Sequence, residues 1–131
     1  MNVKTLPRWL LILISLVTLA SGLVQVVAPA FILSLLSADV TATTKHFFGI
    51  VGMFMVLFGG MLLQVLISRR SNAPVFLWAG LQKIGSSSSV ALGVFHHIFG
   101  RLALLVAGFD LLSGILIFIY LMLLKSEGSP S

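Results

Sequence analysis

Four hydrophobic stretches dominate this chain, and each has the length of about 20 residues that a helix needs to cross a bilayer. They cover residues 9–28, 46–67, 75–96 and 102–124, and a polar tail follows at 125–131. Only 8% of the 131 residues are charged, whereas soluble domains carry about 25%. Too few polar side chains remain to cover a water-facing surface, so we predict a single integral membrane domain.

The third stretch is ambiguous, because LWAGLQKIGSSSSVALG at 77–93 places Lys83 and four serines among apolar residues. As a loop, this segment would divide the stretch into two pieces that are too short to cross. As a span, it would let the serine hydroxyls bond to carbonyls of the preceding turn. Lys83 would then cost about 3 kcal/mol on insertion scales, which the many Leu, Ile, Val and Phe residues of the stretch offset. We therefore favour the span.

The fold predicted from these stretches is an all-α, antiparallel bundle of four transmembrane helices. Pro29 is expected to end the first helix, since proline cannot donate to the helical hydrogen-bond ladder. The apolar piece that follows, residues 31–36, is too short to span and is expected to lie in the membrane interface as a short segment. The remaining connections are short, which favours antiparallel neighbours.

The basic residues that flank the stretches predict the orientation in the membrane. In a four-span arrangement, five of them fall on one side of the membrane, namely Lys4, Arg8, Arg69, Arg70 and Lys125. The other two, Lys45 and Arg101, fall on the opposite side. This asymmetry predicts a multi-pass protein with both termini in the cytoplasm, in a bacterial-type cytoplasmic membrane. The alternative is that the first stretch is a signal peptide cleaved near TLAS at 18–21, but its apolar run continues past Ala20.

Small and polar residues recur at spacings of three and four in each stretch, which places them on one face of each helix. In lipid, helices associate through close packing at such faces. The residues expected at helix contacts are Gly22, Gly52, Gly60, Gly85, Ser89, Gly93 and Gly114. The same face of the first stretch carries Ser15, Thr18 and Gln25.

Asp110 lies within the small-residue face of the last stretch, so its carboxyl should face the bundle interior and find a partner. Lys83 is the candidate partner, at an axial separation of about 6–9 Å. Two arrangements stay open: direct pairing, and pairing through water or through Gln82, Ser86 or Ser87. The pair is either a clamp that fixes helix register or a site that moves protons or binds a substrate.

Three histidines, His46, His96 and His97, flank the ends of the stretches that lie away from the termini. Two histidines on facing helices can ligate haem, and imidazoles can bind a metal, but exposed interfacial side chains are the simpler interpretation. We predict no metal site and no cofactor, with haem and quinone as weaker alternatives. The chain has no cysteine and no nucleophile–base arrangement, so we predict no catalytic residues and a non-enzymatic protein.

Several segments resemble the DoxX-like group of small four-span membrane proteins, and together they extend over nearly the whole chain. They are SGLVQVVAPAFILSLL (21–36), SRRSN (68–72), WAGLQKIG (78–85) and FDLLSG (109–114). The matching positions are Trp78, Lys83, Gly85, Asp110 and Gly114. The resemblance implies a role beside quinone-linked oxidoreductases or in the assembly of membrane proteins. The absence of cysteine departs from redox-active relatives with thiol chemistry.

The function predicted from the sequence is that of an accessory or assembly partner in a membrane complex, because the chain is small and its loops are short. Its expected partners are the lipid bilayer and other membrane subunits or a second copy. Nucleic acid is excluded because the basic residues form no stripe. The alternative is a small transporter or a quinone-linked redox subunit that uses Lys83 and Asp110.

Overall fold

Five helices form most of the chain in the computed structural model, which describes residues 3–70 and 72–128. They are α1 (Thr5–Val27), α2 (Pro29–Leu35), α3 (Ala42–Ile67), α4 (Ala73–Phe95) and α5 (Ala103–Gly128). The described residues contain no strand, which confirms the predicted all-α class. Ser71 of the basic loop and residues 129–131 of the predicted tail lie outside the described residues.

Three of the described helices are long and apolar enough to cross a membrane, namely α1, α3 and α5 as far as Glu127. By length and composition, the chain is therefore a small helical membrane protein with three candidate spans. The 23 residues of α4 give it sufficient length, but it is not among the candidates, because Gln82, Lys83 and the four serines lower its hydropathy.

Local signals set the starts of α2 and α3. Pro29 occupies the first position of α2, where its missing N–H is not needed, and α1 ends before it as predicted. The start of α3 at Ala42, rather than at residue 46, follows from a capping box. The Thr41 hydroxyl accepts from the Thr44 N–H at 3.1 Å, and the Thr44 hydroxyl accepts from the Thr41 N–H at 2.8 Å.

The polar tail predicted at 125–131 is helical as far as Gly128. Lys125 lies in the last turn of α5, where a cation interacts favourably with the negative end of the helix dipole. Glu127 forms an ion pair with Lys4. This pair places the start of α1 and the end of α5 at the same end of the molecule.

Three helices end in the same way, each on a residue with positive φ that is not glycine. Ser37, Arg69 and His97 follow α2, α3 and α4 with φ of 56°, 56° and 60°. The hydrogen bonds that close these Schellman motifs join Ala38 to Leu33, Arg70 to Val65 and Ile98 to Gly93, at 2.9, 3.3 and 2.8 Å. A non-glycine residue in this conformation costs about 1–3 kcal/mol, so all three positions are strained.

The helices pack as two tight pairs, α1 with α3 and α4 with α5, and the contacts between the pairs are thinner. In the first pair, a Cβ on Gly22 would lie 2.6 Å from the carbonyl oxygen of Gly52, and a Cβ on Gly52 would lie 2.7 Å from that of Gly22. In the second pair, a Cβ on Gly114 would lie 2.7 Å from the Ile84 side chain. These glycines allow the close approach on which helix association in lipid depends.

The structure differs from the predicted packing faces in α3 and at the end of α4. A Cβ on Gly60 would reach only the Leu19 side chain at 4.0 Å, whereas one on Gly59 would lie 3.1 Å from the Ser15 carbonyl oxygen. A step of one residue along a helix rotates the side-chain direction by about 100°. The prediction of Gly60 as a contact residue was therefore wrong by one position. Gly93 packs against the Phe99 ring, at 2.5 Å from an added Cβ, rather than against another helix.

Gly85 and Ser89 also differ from the prediction, because both are exposed. A Cβ added to Gly85 would meet nothing within 4 Å. The reason is that α4 turns Lys83 toward the bundle, and Lys83 lies about 160° from Gly85 around the helix axis. Gly85 and Ser89 therefore face outward from this chain.

The apolar core occupies the end of the bundle that carries the termini. Leu11 of α1, Leu66 of α3 and Phe76 of α4 are each at most 1% exposed, and Ile117 of α5 is fully buried. The ring of Tyr120 packs edge-on against Phe76, with centroids 5.2 Å apart. The other half of the bundle, where α2 lies, is less completely filled.

Candidate functional site

Lys83 and Asp110 form a buried ion pair between α4 and α5. The Lys83 Nζ lies 3.2 Å from the Asp110 Oδ1, and the two residues are 4% and 7% exposed. The small residues Ala103, Ala107 and Gly114 share the buried face of α5 with Asp110. This face lets α4 approach closely enough for direct contact between the two charges.

Two hydroxyls and one aromatic ring complete the environment of the pair. Lys83 donates to the Thr18 hydroxyl of α1 at 2.6 Å, and its Nζ lies 5.3 Å from the centroid of the Phe109 ring. Ser86 donates to the second carboxylate oxygen of Asp110 at 2.6 Å. We call Thr18, Lys83, Ser86 and Asp110 the polar cluster. Its hydrogen bonds offset the cost of burying two charges.

The contact between Lys83 and Asp110 is direct, which is one of the two arrangements that the sequence left open. Ser86 adds a bond to the carboxylate rather than bridging the charges. Ser87 is buried and Gln82 is half-buried, but neither hydrogen-bonds to the pair among the described residues. Thr18 was not expected as a partner, and its place on the polar face of the first stretch was the only signal.

A cleft of about 620 Å³ opens beside the polar cluster, between α1, α2 and α5. Thr18, Lys83 and Asp110 lie in its wall, and most of the remaining lining is aliphatic or aromatic. Phe31 and Leu105 also line the cleft and are 58% and 71% exposed, so it opens sideways between α2 and α5. Its volume falls within the range of about 300–1,000 Å³ typical of small-molecule sites.

Gln25 adds a second polar group to the cleft. Its Nε2 donates to the Met55 Sδ at 3.1 Å, and both residues line the cleft. Its Oε1 is buried and accepts no hydrogen bond from the described residues. Buried oxygens almost always have a donor, so this atom lacks its usual partner.

The three histidines lie away from the cleft lining. His46 is near the start of α3, His96 and His97 follow the end of α4, and all three are exposed. Their neighbours are phenylalanines: the His46 ring centroid is 6.4 Å from that of Phe47, and the His96 centroid is 5.5 Å from that of Phe95. No cluster of three His, Asp or Glu residues suited to a metal ion occurs within 3–70 and 72–128.

The arrangement therefore places an ammonium and a carboxylate in the wall of an apolar, laterally open cleft, with the unpaired amide oxygen of Gln25 buried beside it. Such a wall fits an amphipathic molecule that enters from a bilayer with its polar head inward. Comparisons of the chain with known protein families, with curated proteins and with solved structures found no match.

Proposed function

We propose that α4 is a fourth membrane span, so that the protein is a four-helix transmembrane bundle. The support is the ion pair between Lys4 and Glu127, which brings the start of α1 and the end of α5 together. Three crossings would put these residues on opposite sides of a bilayer, whereas four return the chain to its starting side. The buried position of Lys83 spares α4 the full cost of its charge in lipid.

The absence of cysteine makes this topology testable by labelling single introduced thiols. Asn72→Cys lies before α4 and Ile98→Cys after it, both at exposed positions. A membrane-impermeant maleimide should label the two variants from opposite sides of sealed vesicles. Labelling of both from one side would show that α4 does not cross. The same experiment fixes the side of the termini, for which we keep the cytoplasmic orientation as a proposal.

The function that the geometry supports best is binding of an amphipathic, lipid-soluble molecule, with its head against the polar cluster and its tail along the cleft. The observation that carries this proposal is the buried Lys83–Asp110 pair in the wall of an apolar cleft. A structural clamp needs no such cleft beside it. This function corresponds to a small transporter or a quinone-linked redox subunit rather than to a purely structural partner.

A quinone-type head matches the donors and acceptors of the cleft. Its carbonyl oxygen is an acceptor for the Lys83 ammonium, and the hydroxyl of the reduced form is a donor for the Gln25 Oε1 when that side chain turns toward the cleft. Its isoprenoid tail is chemically compatible with the aliphatic lining. The resemblance to the DoxX-like group stays a proposal that rests on the sequence alone.

Photolabelling with an azidoquinone in vesicles tests this function. Label should concentrate on peptides of α1 and α5 that line the cleft, and should fall at least tenfold when Lys83→Met and Asp110→Leu are combined. The double variant removes both charges together and so avoids leaving one buried and unpaired. Uniform labelling of lipid-facing residues outside the cleft, such as the 58%-exposed Leu13, would count against a specific site.

The accessory or assembly role remains the second candidate, and two exposed small residues on α4 favour it. Gly85 and Ser89 are exposed, and small residues on a lipid-facing surface permit close approach of another helix. Ser89→Cys should then give a disulfide on oxidation, or a bis-maleimide crosslink, to the same introduced thiol of a second copy or to a cysteine of another membrane subunit. A crosslink would support this role without affecting the proposal for the cleft.

A further inference from the structure

A second pocket lies at the end of the bundle that carries the termini. None of the residues that line it belongs to the polar cluster. It has a volume of about 240 Å³. Its cationic lining is formed by four of the eight Lys and Arg residues of the chain, Lys4, Arg8, Arg69 and Arg70. We call it the basic pocket.

The charge in the basic pocket is only partly balanced. Lys4 is paired with Glu127, whereas Arg8, Arg69 and Arg70 have no ion-pair partner among the described residues. The Arg8 Nε donates to the Leu66 carbonyl oxygen at 3.0 Å, which fixes the guanidinium at the end of α3. Arg69 and Arg70 are exposed. Three arginines around one small pocket therefore favour an anionic occupant.

The backbone holds Arg69 at the pocket in a conformation that arginine rarely adopts. Its φ of 56° is the left-handed conformation for which the same Schellman position normally uses glycine. Glycine there would relieve the strain but would remove the guanidinium from the pocket.

Aromatic residues supply an independent indication of what the pocket holds. Tyr120 lines it while being only 7% exposed, and its hydroxyl makes no hydrogen bond to the described residues. Trp9 lines it too and lies 5.5 Å from the Arg8 guanidinium. Trp and Tyr concentrate at the level of lipid headgroups, and arginine pairs bind phosphate oxygens through paired donors.

We propose that the basic pocket binds a phosphate group, with Arg69 and Arg70 as its main donors and the Tyr120 hydroxyl as a further one. The phosphate belongs either to the headgroup of an anionic phospholipid or to a free anion. This inference depends on residues outside the cleft, so its failure would leave the proposed function untouched.

The test uses the full chain in nanodiscs, with Trp78→Phe so that Trp9 is the single fluorescent reporter in the pocket. One arm raises the fraction of phosphatidylglycerol in phosphatidylcholine discs, and the other adds inorganic phosphate to discs of phosphatidylcholine alone. A Trp9 response in the first arm identifies a lipid, and a response in the second identifies a free anion. Absence of a response in both arms overturns the proposal.

Charge variants separate a site from a general attraction to anions. Arg69→Gln with Arg70→Gln should weaken the response about tenfold or more, since hydrogen bonds to charged groups are among the strongest. Lys45→Gln with Arg101→Gln removes the same charge from the opposite end and should leave it unchanged. Equal weakening by both pairs would overturn the proposal.

Arg69→Gly provides a variant whose folding is not in doubt. It should raise the stability of the protein, because glycine suits the positive φ, and should still weaken the Trp9 response. A response as strong as that of the parent protein would show that the Arg69 side chain is not a ligand, and would overturn the assignment.

Discussion

The contact between α1 and α3 and the contact of α1 with Lys83 of α4 hold helices together by opposite means. The first is glycine against backbone, with an added Cβ on Gly22 or Gly52 falling 2.6–2.7 Å from a carbonyl oxygen. The second is a bond from the Lys83 ammonium to the Thr18 hydroxyl, next to an open cleft. One contact is closely packed, and the other is polar and lies beside unfilled space.

This difference indicates which part of the bundle is permanent and which can respond to a ligand. Close packing in lipid has no substitute partner, because lipid chains cannot fit between touching backbones. A polar contact can exchange one hydrogen-bond partner for another at little net cost. We therefore expect the α1–α3 pair to behave as a rigid unit, and the polar cluster to carry the chemistry.

The largest expected effect comes from removing one charge of the pair. Asp110→Ala leaves Lys83 buried without its counter-ion, and we expect a loss of about 3–5 kcal/mol in the free energy of unfolding. Titration with dodecyl sulfate in mixed micelles measures it. Lys83→Met with Asp110→Leu should recover most of the loss. A double variant as unstable as Asp110→Ala would show that the loss of stability comes from the changed side-chain shape and not from the unpaired charge.

The next effect isolates the bond between the two helix pairs. Thr18→Val keeps the side-chain shape but removes the hydroxyl that accepts from Lys83, and should lower stability by about 1.5–3 kcal/mol. Thr18→Ser keeps the hydroxyl and is the matched control. The same micelle titration applies, and a Thr18→Val variant as stable as the parent protein would show that the hydroxyl contributes nothing to stability.

A smaller loss is expected at the closely packed contact. Gly52→Ala places a methyl group 2.7 Å from the Gly22 carbonyl oxygen, and overpacking of this kind costs about 1–3 kcal/mol. Gly85→Ala adds the same methyl group where nothing lies within 4 Å, and should be neutral or slightly stabilising through helix propensity. If the two alanine variants were equally stable, the α1–α3 contact would not be the rigid one.

The smallest effect has the opposite sign and belongs to neither contact. Arg69→Gly should raise the free energy of unfolding by about 1 kcal/mol, because glycine adopts positive φ without strain. A shift of the dodecyl sulfate midpoint reports it. Arg69→Ala gives the comparison, since it removes the guanidinium but keeps a Cβ and should show no such gain.

Much of the fold follows from hydropathy and a few local signals. The apolar stretches predict α1, α3 and α5, and Pro29 predicts the break between α1 and α2. The extension of α5 to Gly128 was missed, because the ion pair of Glu127 with Lys4 is a tertiary contact that no local pattern contains. Ser37, Arg69 and His97 carry no turn signal, since glycine is the residue expected where φ is positive.

Only part of the site could be predicted from the sequence, for a similar reason. Asp110 stands out because a carboxylate within an apolar stretch requires a partner, and Lys83 is the one cation inside a stretch. Thr18 is an ordinary residue in a membrane helix, and its role depends on how α1 rotates against α4. The cleft depends on the placement of α2, which the short apolar segment after Pro29 does not determine.

The contact between Lys4 and Glu127 has a consequence for chain connectivity. Because the two ends of the described fold touch, a short flexible linker between them could close the chain, and new ends could be cut between α3 and α4 on the same side. We expect such a circular permutant, with the order α4–α5–α1–α2–α3, to reach the same bundle and to unfold at a similar dodecyl sulfate concentration. The final packing would then be independent of the order in which the helices are synthesised.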